Sequence, residues 1–307
     1  METGNARRGD RRRRPLAAQR CGLLLAGCWL LAGCTYPIRE HNIVIPRTAA
    51  PVDLAELRGR FPGHRIEAMA VDAADGASLQ GLRFTRDDAL ATVLHFGGNG
   101  YTVARFAQRS AAAYAEAPVN IVLVDHRGYG ASTGTAGLDA LLADALTVHD
   151  RVRDDARLGA VPLVVHGHSL GSFMAGHVAA ARRLDGLVLE GSVTTSEDWA
   201  AHLRSRQPLW ARMLVRRVVP EGALAGKGNL GVVAALDEPV LVVAGADDAV
   251  APPRFAQALF DAASPPAGRK RLLIVRGRDH TNAADSPDFR RAMADFVAEI
   301  AAAPRAD

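Results

Sequence analysis

The segment Leu163-Val-Val-His-Gly-His-Ser-Leu-Gly171 decides the fold class of this 307-residue chain. It begins as an apolar run typical of a strand buried on both faces and leads into an Ala-rich helical stretch. The two glycines of Gly167-His-Ser-Leu-Gly171 allow a turn too tight for larger side chains, which presents the Ser169 hydroxyl above a sheet. The helix that follows points its N-terminal N–H groups towards any oxyanion formed there. The pattern predicts a nucleophilic serine between a strand and a helix.

Strand-like runs and Ala-rich helical segments alternate on both sides of this turn. The strand-like runs cover residues 65–71, 78–85, 92–96, 120–124, 163–166, 187–190, 240–244 and 271–275, and the helical segments cover residues 102–116, 137–154, 170–183, 253–263 and 287–302. Most strands from residue 92 onward are continuously apolar, as strands buried on both faces require. The alternation predicts an α/β fold with a mostly parallel central sheet, helices on both faces and an antiparallel hairpin around Asp75-Gly76.

A serine hydroxyl needs a base and an orienting acid, and both types of residue follow later strands of this sheet. His280 follows the last strand, and Asp247 and Asp248 follow the strand before it. The chain order Ser169, Asp, His280 is the order expected for such a turn. Asp248 is the first choice for the acid, Asp247 is the alternative, and Glu190 at the end of another strand is the third candidate. The unused aspartate would cap the following helix.

The oxyanion of a tetrahedral intermediate needs two hydrogen-bond donors. One is expected to be the backbone N–H of Leu170, directly after the nucleophile. The other is expected to be the backbone N–H of Asn99, in the loop Gly97-Gly98-Asn99-Gly100 after the strand at residues 92–96. The glycines of this loop let the backbone approach a substrate closely.

These loops together resemble the α/β-hydrolase superfamily, specifically its short-capped serine hydrolases. The resemblance runs from about residue 65 to residue 302 and implies a hydrolase domain over residues 61–302, with a cap inserted at residues 192–236. Asp125-His-Arg127-Gly-Tyr-Gly resembles a turn of that superfamily, which implies that Asp125 and Arg127 hold loops rather than react. One departure is that Gly97-Gly98 stands where the family often has His-Gly.

The first 33 residues have the pattern of a signal peptide. Seven arginines precede an uncharged apolar run from Cys21 to Cys34 that is too short to span a bilayer. The run ends in Leu31-Ala-Gly-Cys34, which resembles the bacterial lipobox and implies lipidation of Cys34; plain secretion and a second match ending at Cys28 are the alternatives. Residues 34–60 are expected to form a tether and a first turn. Thr35, rather than Asp, follows Cys34, which resembles the pattern of bacterial lipoproteins sorted to the outer membrane and implies the periplasmic face of that membrane.

Composition excludes several other classes of protein. The net charge of +4 belongs to the leader, because residues 34–307 hold 30 basic and 31 acidic residues. Nucleic acid is therefore not an expected partner. The sequence has no His-Glu-x-x-His motif, no cysteine pair after residue 34 and no nucleotide-binding glycine motif, so neither a metal nor a cofactor is expected.

The segment between Glu190 and Pro239 interleaves large apolar residues with arginines. Two interpretations stay open: a cap helix packed over the pocket, or a basic amphipathic helix lying on an anionic membrane. For the whole chain, the sequence predicts a lipid-anchored hydrolase of the cell envelope acting on a carboxylic, thio or lipid ester. The alternatives are a serine peptidase or amidase and a non-catalytic lipid-binding lipoprotein.

Overall fold

The structure, a computed structural model, describes residues 34–50 and 52–303, so the predicted signal peptide lies outside the described residues. In chain order the elements are β1 (Cys34–Ile38), α1 (Leu54–Arg60), β2 (Arg65–Asp72), β3 (Ser78–Thr85), β4 (Ala91–Phe96), α2 (Val103–Ala112), β5 (Val119–Val124), α3 (Leu138–Arg153), β6 (Leu163–His168), α4 (Leu170–Ala181), β7 (Gly186–Glu190), α5 (Ser196–Ser205), α6 (Leu209–Leu214), β8 (Val215–Pro220), α7 (Leu230–Ala235), β9 (Val240–Gly245), α8 (Pro253–Ala262), β10 (Lys270–Val275) and α9 (Pro287–Ala302).

The central sheet has the strand order β10-β9-β7-β6-β4-β5-β3-β2. β3 pairs antiparallel with β2 and with β5, and the other pairings in this sheet are parallel. Its strands coincide with the runs expected from the sequence, and the hairpin at Asp75-Gly76 joins β2 to β3. The predicted fold, a mostly parallel sheet with helices on both faces, is confirmed.

Each face of the sheet carries its own hydrophobic core. β4 and β5 are buried along their whole length, and consecutive side chains enter opposite cores because a strand alternates its faces. Val93, for example, joins the core beneath α2 and α9, whereas its neighbour Leu94 joins the core beneath α3, α4 and α8. The sheet is thus fixed from both sides, and the carboxyl ends of β4, β6, β7 and β9 meet at one edge.

The N-terminal strap, residues 34–50, differs from the tether expected over residues 34–60. β1 pairs in parallel with β8, far along the chain. Glu40 then accepts a hydrogen bond of 2.8 Å from the first N–H of α3. The carbonyl oxygen of Arg47 accepts another of 2.8 Å from the N–H of Gly130. The segment is therefore part of the folded domain, because its backbone and the Glu40 side chain have partners in β8, in α3 and in the loop after β5.

The connection between β7 and β9 carries α5, α6, β8 and α7 rather than one long helix. α5 packs inward through Ala200 and the partly buried Trp199 and Leu203. α6 has no buried residue at all. Within the described residues, no helix combines the length and the apolar character needed to cross a bilayer.

Candidate active site

Ser169 occupies the turn between β6 and α4. Its φ of 52° and ψ of −114° make it the one non-glycine residue with positive φ in the described part of the chain. Such a conformation costs about 1–3 kcal/mol and persists only where the surroundings impose it. A Cβ at Gly167 would overlap the carbonyl oxygen of Gly171, and one at Gly171 would overlap that of Phe96. Both glycines are therefore required for α4 to begin against the end of β4.

Ser169, His280 and Asp248 form one hydrogen-bonded line. The Ser169 Oγ lies 2.8 Å from Nε2 of His280, and Nδ1 of His280 lies 2.8 Å from Oδ2 of Asp248. Because a carboxylate can only accept, Nδ1 carries the hydrogen and Nε2 is left to accept the hydroxyl hydrogen. The Asp248 side chain is fully buried, and the His280 side chain is 14% exposed. The arrangement can convert the serine hydroxyl into a nucleophile.

Of the three carboxylates that the sequence offered as the acid, the structure places Asp248 against the imidazole. Its second oxygen accepts the N–H groups of Val250 and Ala251 at 2.8 Å each, which fixes the turn after β9. Asp247 is exposed. It does not cap α8 as the sequence suggested for the unused aspartate, because Pro252 holds that position.

Glu190, the third candidate for the acid, has neighbours other than the imidazole of His280. Its backbone oxygen accepts the N–H of Ser169 at 2.9 Å, and its carboxylate accepts the N–H of Ala284 at 3.0 Å. The other carboxylate oxygen lies 3.2 Å from Nε2 of His166, outside hydrogen-bond alignment. Glu190 thus holds the backbone on both sides of the site.

The loop after β4 lies against the nucleophile, as the sequence predicted. A Cβ built on Gly98 would stand 2.9 Å from Nδ1 of His168 and 3.3 Å from Cβ of Ser169, so the glycine permits this approach. Leu170 begins α4, and both Leu170 and Asn99 line the same cleft as Ser169. These are the two residues whose N–H groups the sequence proposed as oxyanion donors.

The Asn99 side chain has a second role that the sequence did not indicate. Its Oδ1 accepts the N–H of Ile45 at 3.0 Å and the hydroxyl of Tyr129 at 3.1 Å. The loop after β4 is thereby tied to the N-terminal strap and to the loop after β5. No local sequence signal reveals this contact, since Ile45 lies 54 positions away.

Asp125 and Arg127 hold the neighbouring loop, which is the role expected for them. The Asp125 carboxylate accepts the first N–H of α2 at 2.6 Å and the N–H of Ala131 at 3.0 Å. Arg127 forms a bidentate ion pair with the buried Asp144, at 2.8 and 2.6 Å, and also contacts Asp75. Neither residue contacts Ser169, so they stabilise the frame around the site.

A mostly apolar cleft of about 300 Å³ opens above Ser169. The strap, the cap, the loop after β9 and α4 all contribute to it, with the side chains of Ile43, Leu170, Phe173, Val193, Trp199, Val250 and Ala251. None of the described residues that line this cleft is acidic. A cleft of this size and character accommodates an apolar group attached to a reacting carbonyl.

A second cavity of about 150 Å³ adjoins the cleft behind His168. Its lining includes the buried side chains of His95, Tyr114, His166 and Glu190. The Tyr114 hydroxyl lies 2.7 Å from Nδ1 of His166 and 3.1 Å from Nδ1 of His95. Burial holds the pKa of His95 well below 6.5. Burial alone would raise the pKa of Glu190, but the neighbouring His168 and His166 outweigh it and lower that pKa to about 2.

His168 connects this cavity to the reacting groups. Its Nε2 donates to the backbone oxygen of His280 at 2.8 Å, so the nitrogen carries the hydrogen. Burial lowers the pKa of His168. The residue therefore positions the loop that carries His280. Among residues 34–50 and 52–303, no group of three or more His, Cys, Asp or Glu side chains is arranged to hold a metal ion.

Comparisons with known proteins agree with this geometry. The family described as serine aminopeptidase, S33, matches residues 87–231. The solved esterase Pf2001 of Pyrococcus furiosus superimposes with a TM-score of 0.65 at 14% identity, over 84% of this chain and 98% of that protein. The chain has the α/β-hydrolase fold.

Two further proteins resemble this chain. A solved proline iminopeptidase of Mycobacterium smegmatis superimposes on this chain with a TM-score of 0.60 at 18% identity, over 76% of this chain and 99% of that one. An uncharacterized protein of Mycobacterium tuberculosis is 27% identical over 247 residues, which cover 80% of this chain and 81% of that protein. The structural neighbours include an esterase and a peptidase, so the shared fold alone does not identify the bond that is cleaved.

Proposed function

We propose that this α/β-hydrolase is a serine esterase that forms an acyl-enzyme on Ser169. The observation that carries the proposal is the hydrogen-bonded line from Ser169 through His280 to Asp248, with 2.8 Å at each step. This line ends in an apolar cleft, where an acyl group can lie beside the nucleophile. The three residues have the roles of nucleophile, general base and orienting acid.

Acylation begins when Ser169 Oγ attacks the ester carbonyl and His280 Nε2 takes the hydroxyl proton. The resulting oxyanion is held by the backbone N–H groups of Leu170 and Asn99, each worth about 3 kcal/mol of barrier. Asp248 stabilises the imidazolium that forms. His280 then returns its proton to the leaving alcohol as the bond from the carbonyl carbon to the ester oxygen breaks.

Deacylation repeats these steps with water as the nucleophile. His280 removes a proton from water, and the hydroxide attacks the acyl carbon. The second tetrahedral intermediate collapses when the bond to Ser169 Oγ breaks, and the serine recovers its proton from the imidazolium. The products are the carboxylic acid and the free enzyme.

The lining of the cleft supports an ester rather than an amino-terminal peptide. A peptide with a free amino terminus brings a positive charge, and burying that charge without a partner is unfavourable. The described cleft offers apolar side chains and no acidic one to meet it. An uncharged acyl ester can bind in this cleft without the burial of an unpaired charge.

The test is labelling with a fluorophosphonate probe together with hydrolysis of p-nitrophenyl esters of graded acyl length. Ser169→Ala is expected to abolish both, whereas Ser172→Ala, a buried serine one helical turn away, keeps them. A wild-type enzyme that cleaves a peptide amide faster than every ester would contradict the ester proposal. A wild-type enzyme that neither labels nor turns over would favour a non-catalytic lipid-binding protein.

The same proposal places the enzyme in the cell envelope through a lipid on Cys34. Cys34 is exposed at the start of β1, and the preceding Leu31-Ala-Gly has the lipobox pattern. Labelling of cells with an alkyne fatty acid tests this, with Cys34→Ser expected to remove the label and Cys28→Ser to retain it. The reverse outcome would indicate that Cys28, in the upstream match, carries the lipid. Fractionation of the labelled membranes tests the expected outer-membrane location.

A further inference from the structure

We propose that the outer face of the cap is a membrane-docking surface, which binds the anionic bilayer to which the N-terminus is anchored. The docking surface consists of four apolar side chains of α6 and the arginines that flank them. Leu209, Trp210, Met213 and Leu214 are 71%, 67%, 71% and 63% exposed, respectively. Large apolar side chains clustered on one short helix mark a site of interaction.

α6 is tied to the cap through its backbone, although none of its residues is buried. The guanidinium of Arg204 donates to the backbone oxygens of Arg212 and Val215 at 2.9 Å each. Arg212 lies in the last turn of α6, where carbonyls lack partners within the helix, and Val215 directly follows the helix. The carboxyl end of α6 is therefore joined to α5, while its large apolar side chains stay exposed.

The charge around α6 fits an anionic partner. Between Trp199 and Pro220 the sequence contains five arginines and no acidic residue, whereas residues 34–307 as a whole carry a small negative charge. Arg206, Arg212 and Arg217 are exposed beside the apolar group. Apolar side chains with flanking arginines bind the interface of an anionic bilayer through burial and charge together.

The position of the N-terminus selects the bilayer over other partners. Cys34 pairs with Val215, the residue directly after α6, so the two backbones lie about 5 Å apart. The apolar leader and the lipobox end at this residue. Tyr36 extends the docking surface on the same strand and is 55% exposed. An anchor at residue 34 would therefore hold α6 against the headgroups.

The docking surface is close to the cleft along the chain. α5, which directly precedes α6, supplies Trp199 to the cleft, and the strap supplies Asn42 and Ile43 at its rim. Docking through α6 would therefore bring the cleft near lipid esters in the same bilayer. This consequence rests on the proposed esterase function, and the choice of the bilayer as the partner rests on the proposed lipid at Cys34.

The test measures binding to vesicles without the anchor. A chain of residues 34–307 with Cys34→Ser contains every strand and helix that the structure describes and is expected to fold, which circular dichroism checks. Vesicles of phosphatidylcholine with phosphatidylglycerol are expected to bind this chain, and vesicles of phosphatidylcholine alone to bind it less. Replacing three of the exposed arginines, Arg206, Arg212 and Arg217, by Gln is expected to lower affinity for the anionic vesicles at least about tenfold.

Matched variants separate the docking surface from general effects. Serine at the four exposed apolar positions of α6 is expected to abolish binding, whereas Leu90→Ser, at another exposed apolar residue, leaves it unchanged. Gln in place of Arg151, Arg183 and Arg291 removes the same charge elsewhere and is expected to retain binding. Hydrolysis of a soluble p-nitrophenyl ester by the α6 variant reports the esterase separately.

Tryptophan fluorescence locates the contact. Trp199 and Trp210 are the only tryptophans after residue 34. Trp199→Phe leaves Trp210 alone, and brominated lipids are expected to quench it strongly. Trp210→Phe leaves the partly buried Trp199 as the reference, with weaker quenching. Equal binding by the serine variant of α6, or no quenching of Trp210, would overturn the docking proposal whatever the esterase assay shows.

Discussion

Replacing Asp248 by Asn tests the orientation of the base with little change in shape. The Asn Oδ1 can still accept the N–H groups of Val250 and Ala251, which Asp248 holds at 2.8 Å, so the turn after β9 is retained. The new amide nitrogen then faces Nδ1 of His280, where a carboxylate oxygen had accepted. The perturbation therefore exchanges an acceptor for a donor at one atom.

The exchange reverses the tautomer of His280. An amide N–H donates, so Nδ1 must accept it and the ring hydrogen moves to Nε2. Nε2 then cannot take the proton of Ser169, which lies 2.8 Å away. The same change in a protease triad lowers kcat on the order of 10⁴-fold, which is about 5.5 kcal/mol of barrier. KM is expected to change little, because Asp248 does not line the cleft.

Hydrolysis of a short p-nitrophenyl ester measures both constants, and Asp247→Asn is the matched control. Asp247 is exposed at the neighbouring position, so its variant is expected to keep wild-type kcat. Far-UV and near-UV circular dichroism check that Asp248→Asn is folded. The assignment of the acid is refuted if Asp248→Asn keeps more than about a tenth of kcat, or if Asp247→Asn shows the larger loss.

Three further predictions concern the turn, the buried histidines and the cleft. Gly171→Ala places a methyl group against the carbonyl at the end of β4, so the free energy of unfolding in urea is expected to fall by about 1–3 kcal/mol. Gly231→Ala, whose Cβ meets open space, is expected to raise it by about 0.5–1 kcal/mol. Burial lowers the pKa of His126 below 6.5, so the unfolded chain binds a proton that the folded chain does not, and stability falls as the pH drops below 6.5. His126→Gln is expected to reduce this fall in the free energy of unfolding by up to about 1.4 kcal/mol per pH unit, whereas the exposed His41→Gln leaves it unchanged. The same dependence on pH in the wild type and in His126→Gln would contradict this prediction. Trp199→Ala widens the cleft and is expected to shift the preferred p-nitrophenyl ester to one with a longer acyl chain. An unchanged preference would show that Trp199 does not determine the acyl-chain length.

The sheet and its reactive edge could be predicted because they depend on local patterns. Strands buried on both faces are continuously apolar, and the Gly-x-Ser-x-Gly turn requires small residues at fixed positions. Once the strands are parallel, the residues that follow them meet at one edge, as Ser169, Asp248 and His280 do. The choice between Asp247 and Asp248 needed the structure, because adjacent residues in a turn point in different directions.

Long-range contacts explain what the sequence did not reveal. The N-terminal strap was expected to be a tether because prolines interrupt it and its own residues show no strand pattern. Its strand exists through pairing with β8, and Ile45 finds its acceptor on Asn99. The two tryptophans of the Arg-rich cap segment have different surroundings for the same reason. Trp199 on α5 lines the cleft, whereas Trp210 on α6 is exposed. Periodicity within the segment cannot distinguish these two surroundings.

The pairing of β1 with β8 has a consequence for how the chain reaches its active form. It is reinforced by an ion pair of 3.0 Å between Arg39 and Glu221, which stand 182 positions apart in the chain. Contacts of such separation form late, since a long loop must close before they stabilise anything. β1 therefore stays unpaired until β8 has formed and the long loop between the two strands has closed. The strap that carries β1 also supplies Asn42 and Ile43 to the rim of the cleft, so the cleft takes its final shape only late in folding.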